Sequence, residues 1–275
     1  MNKFKNILIC TDLDGTLLGS DRAVSRENLE AIEYFKSRGG YFTFITGRMP
    51  LCVTEIFDTV KPNVPFGCVN GGGLYDRKNE RYVKTFALDK RALTLVEYVD
   101  REFPSVGIQI NTFNSIYFSK DSEGMRFFRD VTGMPNLTRD YRDISEPFAK
   151  VLFADTDTEE ISRLAEVLPR HPAAGDLSFT RSEKFFFEIL PKGITKATTL
   201  TELCSHIGIP VNRSIALGDY SNDVDMIRAA GVGVAVGNAT EDAKSVADLV
   251  TVTNDEHAVA KVIRDLDNGK ISLPL

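Results

Sequence analysis

The chain has 275 residues, 26% of them charged and 43% hydrophobic, the balance of a globular protein that buries about 70–75% of its unfolded surface. Its net charge is −6 and it holds no run of five basic residues, so nucleic acid is not an expected partner. No apolar stretch is long enough to span a membrane, and the basic start Met1-Asn2-Lys3-Phe4-Lys5 leads only into Ile7 to Cys10 and then acids, so no secretory leader is read and the expected location is cytoplasmic.

The first predicted strand is the apolar run from Asn6 to Thr11, with no polar alternation, as suits the centre of a parallel sheet. It stops at Asp12 and Asp14, with Gly15 allowing a sharp turn. Two carboxylates about 4 Å apart repel by roughly 4 kcal/mol at an effective dielectric of 20. A hard divalent cation with oxygen ligands relieves that, while a turn with solvated acids is the plain alternative. A calcium loop of the EF-hand type fits poorly, because its Gly belongs at the sixth position and its Glu at the twelfth. Here Gly15 is fourth and Ala23 twelfth.

Ser25 caps a predicted helix running to Arg38, ended by Gly39-Gly40. Tyr41 to Thr46 reads as a strand, Pro50 to Val60 as a helix, and Phe66 to Asn70 as a third strand ending in the flexible turn Asn70-Gly71-Gly72-Gly73. This alternation is the signature of a parallel sheet with crossover helices. The rhythm then changes. A strand over Tyr82 to Ala87 and helices over Asp89 to Phe103, Ser122 to Thr132 and Asp157 to Leu168 accompany a hairpin around Phe113-Asn114, a strand over Lys150 to Ala154 and a hairpin around Ser182-Glu183. Hairpins with helices point to an α+β module. In Phe185-Phe186-Phe187, strand alternation turns one ring away from the core. After Pro191 the α/β pattern returns, with a helix opened by Thr195, a strand Ser214 to Leu217 stopped by Gly218-Asp219, a helix from Asn222, and further strands and helices to Leu266.

The expected architecture is therefore α/β: a Rossmann-like parallel sheet core with helices on both faces, formed by residues 1–81 and 191–275, and an inserted α+β cap domain over 82–190. Cys10, Cys52, Cys68 and Cys204 form no CxxC pair and read as small buried thiols. His171, His206 and His257 show no metal spacing.

Four strand ends carry small polar or charged residues: Asp12-Leu13-Asp14, Thr46-Gly47-Arg48, the region before the helix at Lys196, and Gly218-Asp219-Tyr220-Ser221-Asn222-Asp223. In a parallel sheet such ends converge on one site. Carboxylates of Asp12, Asp14, Asp219 and Asp223, the hydroxyl of Thr46 and the ammonium of Lys196 suit a phosphate ester held with magnesium. A carboxylate can form an aspartyl-phosphate, and a second acid two residues on points the same way and can move protons.

With those residues in view, the sequence resembles the phosphatases of the haloacid dehalogenase superfamily. Asp12-Leu13-Asp14-Gly15-Thr16-Leu17 resembles motif I, Thr46-Gly47-Arg48 motif II, Lys196 the motif III lysine and Gly218-Asp219-Tyr220-Ser221-Asn222-Asp223 motif IV. Asn70-Gly71-Gly72, the stretch from Ile189 to Lys196 and Gly237-Asn238-Ala239 point to the Cof-type sugar-phosphatase branch, with its α/β cap between motifs II and III. The resemblance covers nearly the whole chain; Asp255-Glu256-His257-Ala258, where relatives often carry Asp-Gly, departs from it outside the four motifs.

The resemblance implies a magnesium-dependent phosphatase of small phosphorylated metabolites, sugar phosphates foremost. Asp12 would be nucleophile and metal ligand, and Asp14 general acid/base and metal ligand through its carbonyl. Thr46, Gly47, Lys196 and Asn222 would hold the phosphoryl group, and Asp219 and Asp223 would serve the metal. Lys192 competes with Lys196 but does not open a helix. The cap is expected to close over the site and read the leaving group; from the core side, Arg48 and Asn70 are possible substrate contacts. A phosphomutase or phosphotransferase of the phosphomannomutase type, and a non-catalytic phospholigand-binding regulator, are the rival functions; a monomer or small homo-oligomer is expected.

Overall fold

The computed structural model describes residues 2–132 and 137–274. It divides into two compact units, Met1–Lys84 with Thr195–Leu275, and Thr85–Ile194.

The first unit begins with β1 (Leu8–Thr11), α1 (Arg26–Ser37), β2 (Tyr41–Phe44), α2 (Thr54–Val60), β3 (Phe66–Cys68), β4 (Gly73–Asp76) and β5 (Arg81–Thr85). The second unit follows with α3 (Ala92–Glu102), β6 (Gly107–Thr112), β7 (Ile116–Lys120), α4 (Glu123–Thr132), β8 (Leu137–Thr138), β9 (Phe148–Ala154), α5 (Thr158–Val167), β10 (Leu177–Glu183) and β11 (Phe186–Pro191). The chain then returns to the first unit as α6 (Lys196–Ile207), β12 (Ser214–Gly218), α7 (Val224–Ala229), β13 (Val232–Ala235), α8 (Glu241–Val246), β14 (Leu249–Val250) and α9 (Ala258–Asp267).

The first unit is built on a parallel sheet in the order β14-β13-β12-β1-β2. The central strands β1 and β12 are buried along their whole length, which is why they read as unbroken apolar runs. Leu8 and Cys10 pack with Leu200, Leu203 and Cys204 of α6, while α1 packs on α9. Ser25 caps α1 by accepting the Asn28 N–H, and Gly208 closes α6 in a left-handed conformation.

Beside this sheet lies a three-stranded one, β3-β4-β5. It corrects two sequence expectations. The glycine run after Asn70 is not a flexible turn: Val69, Asn70 and Gly71 form a buried 3₁₀ turn and Gly73 opens β4. The strand beginning near Tyr82 is paired into this sheet, so the first unit runs on to Lys84 rather than 81. The second unit likewise ends at Ile194 rather than 190, because the Ile194 N–H bonds back to Pro191 O at the end of β11.

The second unit carries the sheet β10-β11-β9-β6-β7-β8, antiparallel except for β7 against β8. Its apolar core joins Val96 and Val99 of α3, Ile161 and Leu164 of α5, and Ile108, Ile110, Val151 and Phe153 from the strands. Strand β10 reaches Glu183, so the hairpin turn falls at Lys184-Phe185, two residues later than expected, and Phe185 is the ring left exposed. Phe187 stacks on Phe179 with centroids 5.9 Å apart. Among the described residues, no helix is long and apolar enough to cross a membrane.

Candidate active site

The Asp12 N–H donates to Leu217 O on the neighbouring strand at 2.9 Å, which seats Asp12 immediately past the end of β1. Gly15 then turns the chain at φ 75°; a Cβ there would lie 2.5 Å from Asp219 Oδ2. Only glycine permits both that conformation and that approach. The turn thereby brings the loop after β1 against the loop after β12. Thr16 Oγ1 donates to Asp219 Oδ1 at 2.7 Å, and Asn238 Nδ2 donates to Gly15 O at 2.8 Å.

Lys196 is the first residue of α6, where Thr195 N–H donates to Thr198 Oγ1 at 3.2 Å. Its ammonium is buried between two carboxylates, 2.7 Å from Asp12 Oδ1 and 2.6 Å from Asp223 Oδ1. Asp223 Oδ2 accepts the N–H groups of Asp219 and Tyr220 at 3.0 and 3.2 Å. Carboxylate oxygens of Asp12, Asp219 and Asp223 all lie within 4.8 Å of one another. Burial pushes the Asp12 carboxyl well up from the ordinary range, Lys196 opposes that, and Asp223, Asp219 and Asp14 add to it. Burial works to lower the Lys196 ammonium, but Asp12 and Asp223 outweigh it and hold the group above its usual value. Lys192 belongs to the second unit, where it is exposed and 3.7 Å from Asp176.

Thr46 is fully buried and accepts the Arg48 N–H on its hydroxyl at 3.2 Å. The Arg48 guanidinium grips Asp14 with two bonds, Nε to Oδ2 at 2.8 Å and Nη2 to Oδ1. Burial opposes the charge on Arg48, and the bonds to Asp14 more than restore it. The Asp14 carboxylate is thus turned to Arg48, and the three-carboxylate cluster does not include it. Asn222 Nδ2 donates to Asn70 Oδ1 at 3.0 Å, and Gly47 lies against the same Asn70 amide.

The structure therefore brings Asp12, Lys196, Asp219 and Asp223 into one cluster, buried except at Asp219, with Asp14 and Arg48 paired and Asn70 and Asn222 paired. Thr16, Asn238 and Asn70 make structural contacts with no direct sequence signal. Thr16 stands in the first motif with a hydroxyl two residues after Asp14, Asn238 follows a glycine, and Asn70 precedes three. Such neighbours mark a tight turn, but not the distant residue that each side chain reaches.

The haloacid dehalogenase-like hydrolase family matches residues 9–263. The chain belongs to that family. It is 30% identical to the phosphatase YwpJ of Bacillus subtilis, over 94% of this chain and 99% of that protein. It is 29% identical to the 5-amino-6-(5-phospho-D-ribitylamino)uracil phosphatase YcsE of the same organism, over 94% of each. A solved haloacid dehalogenase-like hydrolase from B. subtilis superimposes with a TM-score of 0.83 at 29% identity, over 94% of this chain and 99% of that one. Membership makes this chain a hydrolase, and its named relatives are phosphatases of the Cof-type branch.

The cluster also fits a hard cation. Its donors are all carboxylate oxygens, three of them mutually close and two largely or fully buried. Oxygen-only sets of this kind suit hard divalent cations rather than softer metals.

Proposed function

We propose that the protein is a magnesium-dependent phosphatase acting on small phosphorylated metabolites, sugar phosphates and related polyol phosphates, through an aspartyl-phosphate on Asp12. The observation that carries this reading is the buried Lys196 ammonium, 2.7 Å from Asp12 Oδ1. It restrains one oxygen of the nucleophile and leaves a positive charge where phosphoryl oxygens would gather. The phosphorylated ribityl chain in the name of one relative supports a polyol phosphate as the substrate class.

In this reading an Asp12 oxygen bonds to phosphorus as the bond to the substrate's ester oxygen breaks. Asp14, a carboxylate held by Arg48 in the resting site, takes up a proton from solvent and gives it to that leaving oxygen. Asp14 then takes a proton from water, whose oxygen attacks phosphorus and releases inorganic phosphate, restoring Asp12. The grip of Arg48 orients Asp14, and one of its two bonds must be exchanged when the leaving oxygen arrives. Thr46, the Gly47 backbone, Lys196 and Asn222 receive the phosphoryl oxygens. Asp12, Asp219 and the Asp14 carbonyl would hold the metal, with Asp223 fixing Lys196 and the Asp219 backbone beside it. Magnesium, when bound, would neutralise charge on the phosphoryl group.

The test is a panel of phosphorylated metabolites assayed for phosphate release with magnesium. Stoichiometric phosphate from sugar or polyol phosphates is the expected result. An isomerised sugar phosphate with no phosphate released would overturn hydrolysis in favour of a mutase.

A further inference from the structure

We infer that Asn70 is a positioning residue: its side chain orients the Asn222 amide toward the phosphoryl group, and its turn holds the Thr46 loop and the start of α6 in register with it. The inference rests on the phosphatase reading above.

Asn70 sits in a strained turn. Val69 and Asn70 have φ of 57° and 52°. Left-handed backbone is tolerable for asparagine but is a genuine outlier for a β-branched residue, which adopts it only where its surroundings over-determine it. The surroundings are the catalytic loops themselves. Val69 N–H donates to Arg48 O and Asn70 N–H to Thr46 O, each at 3.1 Å. Thr199 Oγ1, one turn into α6, donates to Gly71 O at 3.0 Å. Gly71 has φ 102°, and a Cβ on it would lie 2.0 Å from the Thr195 carbonyl oxygen. The turn's backbone therefore packs directly on the residue that precedes Lys196.

The side chain completes the link. Asn70 Oδ1 accepts one N–H of Asn222 at 3.0 Å. A primary amide has two N–H groups, so holding the first fixes the direction of the second. Among the described residues, none hydrogen-bonds to the buried Asn222 Oδ1. The Asn222 amide is aimed by Asn70, and the same three-residue turn, Val69 to Gly71, also braces the Thr46 loop and α6. Asn70 itself is 1% exposed.

The experiment is a double-mutant cycle of Asn70→Gly and Asn222→Ala. Glycine keeps the left-handed backbone without strain and deletes only the amide. Each single variant is expected to raise KM for p-nitrophenyl phosphate, and the inhibition constant of inorganic phosphate, by at least about tenfold, the size of one hydrogen bond to a charged group. The double variant should lose no more than the worse single one. A fall in kcat alone with KM unchanged, or losses that multiply in the double variant, would overturn the inference. A second readout is independent of turnover: in ¹⁵N spectra of the full chain, the Asn222 side-chain amide resonances should move in Asn70→Gly, and resonances that stay in place would also overturn it. If the wild-type protein hydrolyses nothing, the phosphatase reading falls while these resonances still decide whether Asn70 orients Asn222.

Discussion

Replacing Lys196 with methionine tests the electrostatics of the site most directly. Methionine keeps the length and apolar stem of the side chain and deletes the ammonium. Asp12 and Asp223 are then left buried with carboxylate oxygens within 4.8 Å, a repulsion of about 3.5 kcal/mol at an effective dielectric of 20. The fold can escape by protonating Asp12, whose carboxyl burial already pushes up. At pH 7, neutralising an acid of ordinary pKa about 3.9 costs about 4 kcal/mol, at 1.36 per unit. The expected deficit is therefore about 3–4 kcal/mol at pH 7, within the range for breaking a buried pair. The sign follows from linkage. A carboxyl raised in the folded state keeps its proton there while the unfolded chain has lost it, so the deficit is full at high pH. It shrinks as pH falls through the folded value, by about 1.4 kcal/mol per unit. Urea denaturation at pH 7 and pH 5.5 measures both numbers, and magnesium should recover part of the loss by replacing the missing charge. A deficit under about 1 kcal/mol, or one independent of pH, would refute the reasoning.

Three further outcomes are expected. Asp12→Asn should abolish turnover with an unchanged melting profile in magnesium-free buffer to within about 1 kcal/mol, because the amide keeps the shape of the carboxylate and Lys196 stays paired with Asp223; retained turnover removes Asp12 from the nucleophile role. Exhaustive chelation should stop phosphate release and magnesium should restore it, whereas activity that survives chelation removes the metal from the reading. Native protein treated with a thiol reagent at pH 8 should react quickly at no position but the half-buried Cys52. Burial pushes the Cys204 thiol up to about 11 and raises Cys10 well above its usual value, and Cys68 is buried, so four reactive thiols before unfolding would contradict the structure.

The acids and the lysine were legible because of where they stand. Asp12 and Asp219 each interrupt an apolar run that has no other reason to stop, and a strand buried on both faces announces its end in sequence. Lys196 was legible because Thr195 marks a helix start. The partners of these residues were not, since pairing is a property of the fold. Arg48 lies 34 positions from Asp14, and Asn222 lies 152 from Asn70. The Asn70 turn misled for a local reason as well. Three glycines signal freedom, yet here Gly71 is used for close approach and Gly73 starts a strand, so composition that suggests a loose loop encodes a tight one. The strand at Arg81–Thr85 was assigned to the wrong unit because nothing in a short amphipathic strand says which neighbour it will pair with.

The charge balance joins these local facts to the chemistry. Asp14 is neutralised by Arg48, so the cluster that remains is three carboxylates, Asp12, Asp219 and Asp223, against the single ammonium of Lys196. Two negative charges are left over at the position where a phosphate dianion is proposed to bind. At about 5 Å and an effective dielectric of 20, each such charge repels a phosphate charge by about 3 kcal/mol, enough to prevent binding on its own. A divalent cation removes that excess exactly once, and a monovalent ion leaves half of it. The proposed need for a divalent metal thus rests on the count of charges around Lys196, and chelation should weaken inhibition by inorganic phosphate as well as stop turnover.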